Sequence, residues 1–265
     1  MKKNMHKEKK KHKKNSKKRK QVGILFVLIG VLLILVFGFG EYQSYKSAIE
    51  IRKLQQLKEA SSDNGNGIDT SKILPEYRNL YKTNSDLVGW LVVNGTQINY
   101  PVVQSTVYQE FYLDHNFDGE DDESGAVFAD ARNDVFKPDD NVILYGHNMK
   151  DGSMFAGLHK YEEDTYFNDH KDLVIYTPDA ILKYKIFAAY RTDDRHILLY
   201  YNLGAEDYNR QAYLNDILNQ RTMGAMLDQS APVSTESKIL TLSTCDRAGD
   251  AYRYVVQAYL VEKME

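Results

Sequence analysis

One segment near the end of the chain places a cysteine and an arginine at a spacing that suits nucleophilic catalysis. Residues 239–256 read ILTLSTCDRAGDAYRYVV, in which a hydrophobic strand ends at Cys245, an acidic turn follows, and Arg253 opens the next strand. A cysteine at a strand end is held on rigid backbone with its sulfur at the rim of the sheet. A tight return brings the arginine back beside it, where a guanidinium stabilises a thiolate or an oxyanion. Taken alone, Arg253 fits a surface charge beside a strand more simply.

Cys245 is the only cysteine of the chain, and this count alone fits an inert buried thiol or an intermolecular disulfide equally well. A free thiol has a pKa of about 8.5 and needs a base to react at neutral pH. His147 follows the strand of residues 141–146 and therefore also lies at a strand-to-loop junction, although a single histidine there is more often structural. The other histidines beyond the basic tail have polar neighbours and are expected at the surface: His115, His159, His170 and His196.

The elements that must position these residues are mostly strands. From Leu87 onward, short segments rich in Val, Ile, Tyr and Phe alternate with polar turns, a pattern typical of an antiparallel sandwich or barrel. The candidate strands are LVGWLVV, INYPVV, GAVFAD, NVILYGH, LVIYT, ILKYKIFAAYR, KILTLST and YRYVVQAYLVE. One helix is predicted over residues 207–218, inside a long connection of residues 192–237.

The N-terminal part predicts a membrane anchor. Residues 1–20 hold twelve Lys or Arg and one acidic residue, which indicates a cytoplasmic basic tail before a transmembrane signal-anchor helix at 21–40. A buried soluble helix and a cleaved signal peptide are the alternatives. Residues 41–72 read as a juxtamembrane stalk and linker, and 73–265, opening with an amphipathic helix over 73–85, as the extracellular catalytic domain. The expected localisation is the cell membrane, single-pass, with the N-terminus in the cytoplasm and contact with the bilayer through residues 22–40.

The two motifs LYGHNMKDGSMFAGLHKY and TLSTC-x7-R together resemble the signature regions of sortases, particularly class B. The resemblance extends to DLVGWLVVNGTQINYPVVQ and FYLDHNFDGEDDESGAVFADARN, so that it covers nearly all of residues 73–265. It implies an all-β fold with accessory helices, namely an eight-stranded sortase-type β-barrel preceded by the transmembrane helix and N-terminal helices. It also implies His147 as acid and base, Cys245 as nucleophile and Arg253 as the cation beside the oxyanion.

The same resemblance implies a cysteine transpeptidase that cleaves a C-terminal sorting signal after threonine and passes the acyl group, through a thioester, to a cell-wall amine or a pilin lysine. Sorting signals of the NPxTN, LPxTG or PPxTG type are expected on the exported partner proteins, with no nucleic acid, no cofactor and no metal. The acidic run of residues 118–123 does not match an EF-hand loop. A membrane-anchored cysteine hydrolase and a non-catalytic surface adhesin stay open as alternatives. Four residues near the two motifs are expected to bind the peptide, although each also fits a purely structural position: Tyr145, Ser243, Thr244 and Asp246.

Overall fold

The computed structural model describes residues 26, 28–32, 80–106, 108–178, 180–201, 210–246 and 249–265. The chain divides into two compact units, Met1–Lys46 and Ser47–Glu265. In the first unit the described residues are helical. The predicted tail (1–20) and stalk (41–72) lie outside the described residues, and of the helix predicted over 73–85 the described residues 80–83 are helical.

The predicted membrane localisation is contradicted. Among the residues that the structure describes, no helix is long and apolar enough to cross a membrane. A helix that crosses the bilayer core of about 30 Å needs about 20 consecutive apolar residues.

The second unit is built on a closed β-barrel. The described strands are β1 (Leu87–Val93), β2 (Asn99–Val103), β3 (Val127–Ala129), β4 (Asn141–Tyr145), β5 (Asp172–Tyr176), β6 (Ile181–Asp193), β7 (Met226–Leu227), β8 (Ile239–Asp246) and β9 (Gly249–Met264). Eight of them follow one another in the order β5-β1-β2-β3-β4-β8-β9-β6, and β5 also pairs with β6, which closes the ring. The predicted all-β class and eight-stranded barrel are confirmed. The two-residue β7 pairs with Ala188 and Ala189 in the middle of β6.

Helices lie in the described connections between the strands. The 3₁₀ helices there are a first, Phe111–Leu113, and a second, Phe155–Glu162. The α-helices there are α1 (Asp164–Asp169), α2 (Ile197–Tyr200) and α3 (Arg210–Leu218). The described residues of the helix predicted over 207–218 form α3, inside the long connection between β6 and β8.

The strand that carries Cys245 is buried on both faces. Leu240 and Leu242 point into the barrel core, whereas Ile239 packs in a second cluster with Tyr213 and Ile217 of α3. Residues of β8 are therefore buried against the barrel core on one side and against α3 on the other. Each such side chain contributes roughly 1.5–3 kcal/mol on burial, so the strand is a firm support for the residue at its end.

Candidate active site

His147 and Cys245 come to the same edge of the barrel because their strands run parallel. β4 and β8 are paired with Tyr145 opposite Ser243, and each candidate follows two residues later. The pairing continues past the end of β4, since the Gly146 N–H donates to the Ser243 carbonyl at 3.2 Å. Parallel register therefore places an imidazole and a thiol that are 98 residues apart in sequence at neighbouring backbone positions.

Arg253 is the direct cross-strand partner of Cys245 in the antiparallel pair β8 and β9. Such partners point to the same face of a sheet with their Cβ atoms about 4.5–5.5 Å apart. The register shifts immediately after Cys245, because Asp246 pairs with Gly249. A bulge of this kind bends the strand and re-aims its side chains. The Cys245 thiol is free and half-buried, so a sulfur and a guanidinium share the rim of the barrel.

A main-chain carbonyl orients the ring of His147. The Nε2 atom lies 2.6 Å from the Leu113 carbonyl oxygen. A carbonyl oxygen only accepts hydrogen bonds, so Nε2 carries a hydrogen in this arrangement. The remaining nitrogen, Nδ1, is then the one that can exchange a proton with a thiol or a substrate.

The Leu113 carbonyl is held in place by a close approach that requires glycine. Gly125 has a φ of +57°, and a Cβ at this position would lie 2.7 Å from the Leu113 carbonyl oxygen and 2.5 Å from that of Tyr112. The adjacent Ala126 N–H donates to the Tyr112 carbonyl at 2.9 Å. The first 3₁₀ helix therefore packs directly against Gly125 and Ala126, the residues that precede β3. The carbonyl of its last residue, Leu113, faces His147.

Tyr145 is anchored beside the site by a buried carboxylate. Its hydroxyl donates to Asp130 Oδ2 at 3.1 Å, and His196 Nε2 lies 2.9 Å from the same oxygen. Burial, and then the negative charge of Asp130, raise the pKa of Tyr145 well above its ordinary value, while the positive charge of Arg253 acts in the opposite direction. The phenol therefore stays protonated within electrostatic range of the guanidinium.

The other three residues expected to bind peptide are buried around the strand end. Ser243, Thr244 and Asp246 are each 5% exposed or less. The Thr244 hydroxyl donates to the Gly146 carbonyl at 2.7 Å, which ties β8 to the segment before His147. Asp246 Oδ2 lies 3.0 Å from Arg191 Nε, an ion pair in which the carboxylate side chain has no solvent exposure.

The surface position expected for His159 was wrong, because its side chain is fully buried. The second 3₁₀ helix brings Phe155, Leu158 and Tyr161 into the core with it. The spacing of these apolar residues in FAGLHKYE was the sequence signal from which a buried position for His159 could have been predicted. Within the described part of the chain, His159, Glu162 and Asp246 have donor atoms within 4.8 Å of one another, and Arg191 already supplies the cation that faces Asp246.

Comparison with known proteins agrees with this fold. The Sortase domain family model matches residues 91–261. Sortase B of Listeria monocytogenes is 33% identical over 246 residues, covering 91% of this chain and 96% of that protein. A Staphylococcus aureus sortase B–substrate complex has a TM-score of 0.69 at 28% identity, covering 83% of this chain and 99% of that one. A sortase B complexed with triglycine has a TM-score of 0.66 at 27% identity, covering 84% and 98%.

The closed barrel and these relatives together define the class of protein: the chain belongs to the sortase family of cysteine transpeptidases. Within that family it is a class B sortase.

Proposed function

We propose that this sortase cleaves a sorting signal after its threonine and transfers the acyl group to an amine through a thioester on Cys245. The observation that carries the proposal is the register of three neighbouring strands. It sets Cys245 opposite Arg253 and brings His147 to the same edge through the parallel pair β4 and β8.

The first half of the reaction forms the thioester. The Cys245 thiol passes its proton to Nδ1 of His147 and its sulfur attacks the carbonyl carbon of the threonine, so that a C–S bond forms and the carbonyl π electrons move to oxygen. Collapse of this tetrahedral intermediate breaks the C–N bond, and His147 gives a proton to the departing amine. The contact between Nε2 and the Leu113 carbonyl favours Nδ1 as the atom that delivers this proton.

The second half releases the product. An incoming amine attacks the thioester, loses one proton to His147 and forms the new amide, and Cys245 leaves as the thiolate. The triglycine complex of a sortase B relative supports a primary amine as the acceptor class. A peptidoglycan peptide amine and a pilin lysine both belong to this class.

Arg253 acts on the negative charge that develops in both halves. Its backbone position opposite Cys245 suits a donor to the oxyanion of the tetrahedral intermediate. Loss of one such donor typically costs about 2.7–4 kcal/mol of transition-state stabilisation.

The four predicted peptide-binding residues take two kinds of role in this proposal. Tyr145 is partly exposed and contacts the sorting signal. Ser243, Thr244 and Asp246 are buried and act on the peptide indirectly, by fixing the end of β8. The proposed donor is a sorting signal of the NPxTN, LPxTG or PPxTG type, and the solved substrate complex of the S. aureus relative supports a substrate of the sortase B class.

The test separates transfer from hydrolysis, since a cysteine hydrolase uses the same cysteine and histidine. The purified full chain is incubated with peptides of the three motif types, with and without triglycine or a lysine amide, and the products are identified by mass spectrometry. Transfer predicts that the threonine-ended fragment carries the added amine, and that Cys245→Ala gives no product. A free carboxylate as the sole product at saturating amine would establish hydrolysis instead. The adhesin alternative does not fit a family of cysteine transpeptidases.

A further inference from the structure

The main-chain carbonyl of Cys245 is contacted by two side chains from the segment that follows His147. Asn148 Nδ2 donates to this oxygen at 3.1 Å, and His159 Nε2 lies 3.3 Å from it. The two side chains also contact each other, with Asn148 Nδ2 and His159 Nε2 3.0 Å apart. The backbone of Cys245 is therefore in direct contact with Asn148, the residue that follows His147 in the chain.

The side chain of His159 is fully buried and contacts several neighbouring residues. Its Nδ1 lies 2.6 Å from Glu162 Oε1, and its ring stacks on Tyr254 with the centroids 4.8 Å apart. Tyr254 follows Arg253 in β9 and pairs with Thr244, the residue before Cys245. Through these neighbours, one buried imidazole connects the backbone segments of all three catalytic candidates.

The hydrogen-bond partners define the direction of each bond. An ionised Glu162 only accepts, so Nδ1 of His159 donates to it, and in the neutral ring Nε2 is then an acceptor. The 3.3 Å approach of Nε2 to the Cys245 carbonyl oxygen is therefore a contact between two acceptors, which the Asn148 amide bridges. The Asn148 amide has two hydrogens, of which one goes to the Cys245 carbonyl and the other to Nε2. With the amide reversed, its oxygen would face the Cys245 oxygen, which fixes the orientation of Asn148.

We infer that Asn148 and His159 are positioning residues that hold the loop carrying His147 against the strand end carrying Cys245. The inference rests on the proposed function, since it concerns the distance and angle between the two reacting groups. Neither residue touches the substrate. A misplacement of about 1 Å between reacting groups is enough to cost on the order of a hundredfold in rate.

Substitutions that mimic one ring nitrogen at a time give the sharpest test. The His159→Gln side chain places its terminal oxygen or nitrogen near the position of Nε2 and keeps a partner for Asn148. The His159→Asn side chain reaches only the position of Nδ1 and keeps the contact with Glu162. Asn148→Ala removes the bridge while leaving His159 in place. His170→Gln is the matched control, because His170 also stacks on a tyrosine, Tyr166, at 4.1 Å.

Four quantities are measured in each full-chain variant: the kcat of transpeptidation, its KM, the pH profile of Cys245 alkylation by iodoacetamide, and the melting temperature. The charged groups facing His159 are Glu162, Asp246 and, through Asp246, Arg191. Asn148→Ala and His159→Asn are expected to lower kcat about tenfold or more with KM within twofold, and to shift the alkylation profile. His159→Gln is expected to recover most of kcat, and His170→Gln to match the wild type.

Equal kcat values and equal alkylation profiles in wild type, Asn148→Ala and His159→Asn would overturn the inference. So would losses in the Gln and Asn variants that simply follow the melting temperature. Alkylation requires no peptide, so it still decides the positioning role if the wild type fails to transfer acyl groups, a result that would overturn the proposed function separately.

Discussion

Cys245 and Arg253 are directly paired residues of β8 and β9. This relationship needs only a short return between two strands, whereas the relationship between Cys245 and His147 needs the parallel pairing of β4 and β8 across 98 residues of sequence. The site therefore depends on one short-range and one long-range pairing. The short-range pairing places a guanidinium beside the sulfur, and the long-range pairing places the imidazole that we propose as the base.

Replacement of Arg253 tests the role of its pairing with Cys245. Arg253→Ala is expected to lower kcat about a hundredfold to a thousandfold, because the oxyanion loses a charged donor. The melting temperature should change little, since the side chain is only partly buried at the rim. Steady-state kinetics of transpeptidation provide the measurement.

The control is Lys183→Ala, which removes another cation of β6 and β9. Lys183 forms an ion pair with Glu262. It lies in β6 nine residues before Thr192, the cross-strand partner of Arg253, and is therefore about 30 Å from that partner. A normal kcat for Arg253→Ala would remove Arg253 from the mechanism.

Gly125 tests the support of His147. Gly125→Ala is expected to displace the Leu113 carbonyl, because the new Cβ would lie within 2.7 Å of its oxygen. With the partner of Nε2 moved, kcat should fall about tenfold or more. The pH profile of kcat/KM should shift as well, since the ring of His147 loses its fixed orientation.

Gly119→Ala is a matched control for backbone strain. Gly119 also has a positive φ, of +77°, but no atom lies within 4 Å of a Cβ built there. Its alanine variant is expected to lose roughly 1–2 kcal/mol of unfolding free energy from the left-handed backbone alone and to keep its activity. Equal activity in the two variants would contradict a role for the close approach at Gly125.

Tyr213 tests how the long connection is attached to the barrel. Its hydroxyl accepts from Asn141 Nδ2 at 2.9 Å and from Gln257 Nε2 at 2.9 Å, and all three side chains are buried. Tyr213→Phe leaves two buried donors short of a partner, so the free energy of unfolding should fall by about 1–3 kcal/mol. Urea denaturation measures this, with the partly exposed Tyr259→Phe expected to change it by less than about 0.5 kcal/mol.

Asp228 predicts a pH dependence of stability. The Lys171 ammonium, at 2.5 Å, and the Ser230 hydroxyl lower the pKa of Asp228 to about 2. A carboxylate with a lowered folded-state pKa stabilises the fold above its unfolded value of about 3.9, and this stabilisation is lost as the pH falls through the folded-state value.

Asp228→Asn should therefore be less stable than wild type at pH 6, and the difference should shrink between pH 4 and pH 2. Denaturant titrations at several pH values provide the comparison. Glu236→Gln, which removes a negative charge from an exposed turn, is the control. A difference that stays constant with pH would contradict the ion pair as its cause.

The strands were predictable because their signal is local. All eight segments proposed from their Val, Ile, Tyr and Phe content are barrel strands, and α3 occupies the predicted helix region. The pairing of Cys245 with Arg253 was predictable for the same reason, since one turn separates them.

Long-range contacts were harder to predict from the sequence. The buried position of His159 depends on the second 3₁₀ helix turning its apolar residues into the core, and its polar neighbours Lys160 and Glu162 suggested the opposite. The Leu113 carbonyl that orients His147 is a main-chain group, so its side chain gives no hint of the role. The predicted membrane localisation, drawn from a basic tail followed by an apolar run, was wrong.

The mass of the covalent intermediate tests the central claim most directly. The wild-type full chain and Cys245→Ala are mixed with a sorting-signal peptide, quenched in acid and digested with trypsin, which releases residues 239–247 with the nucleophile. We expect this fragment to gain the mass of the acyl group ending in threonine, in the wild type alone, and to lose it when triglycine is added as the amide product appears. Turnover of the peptide without an adduct on this fragment, or an adduct that no amine discharges, would contradict thioester transfer at Cys245.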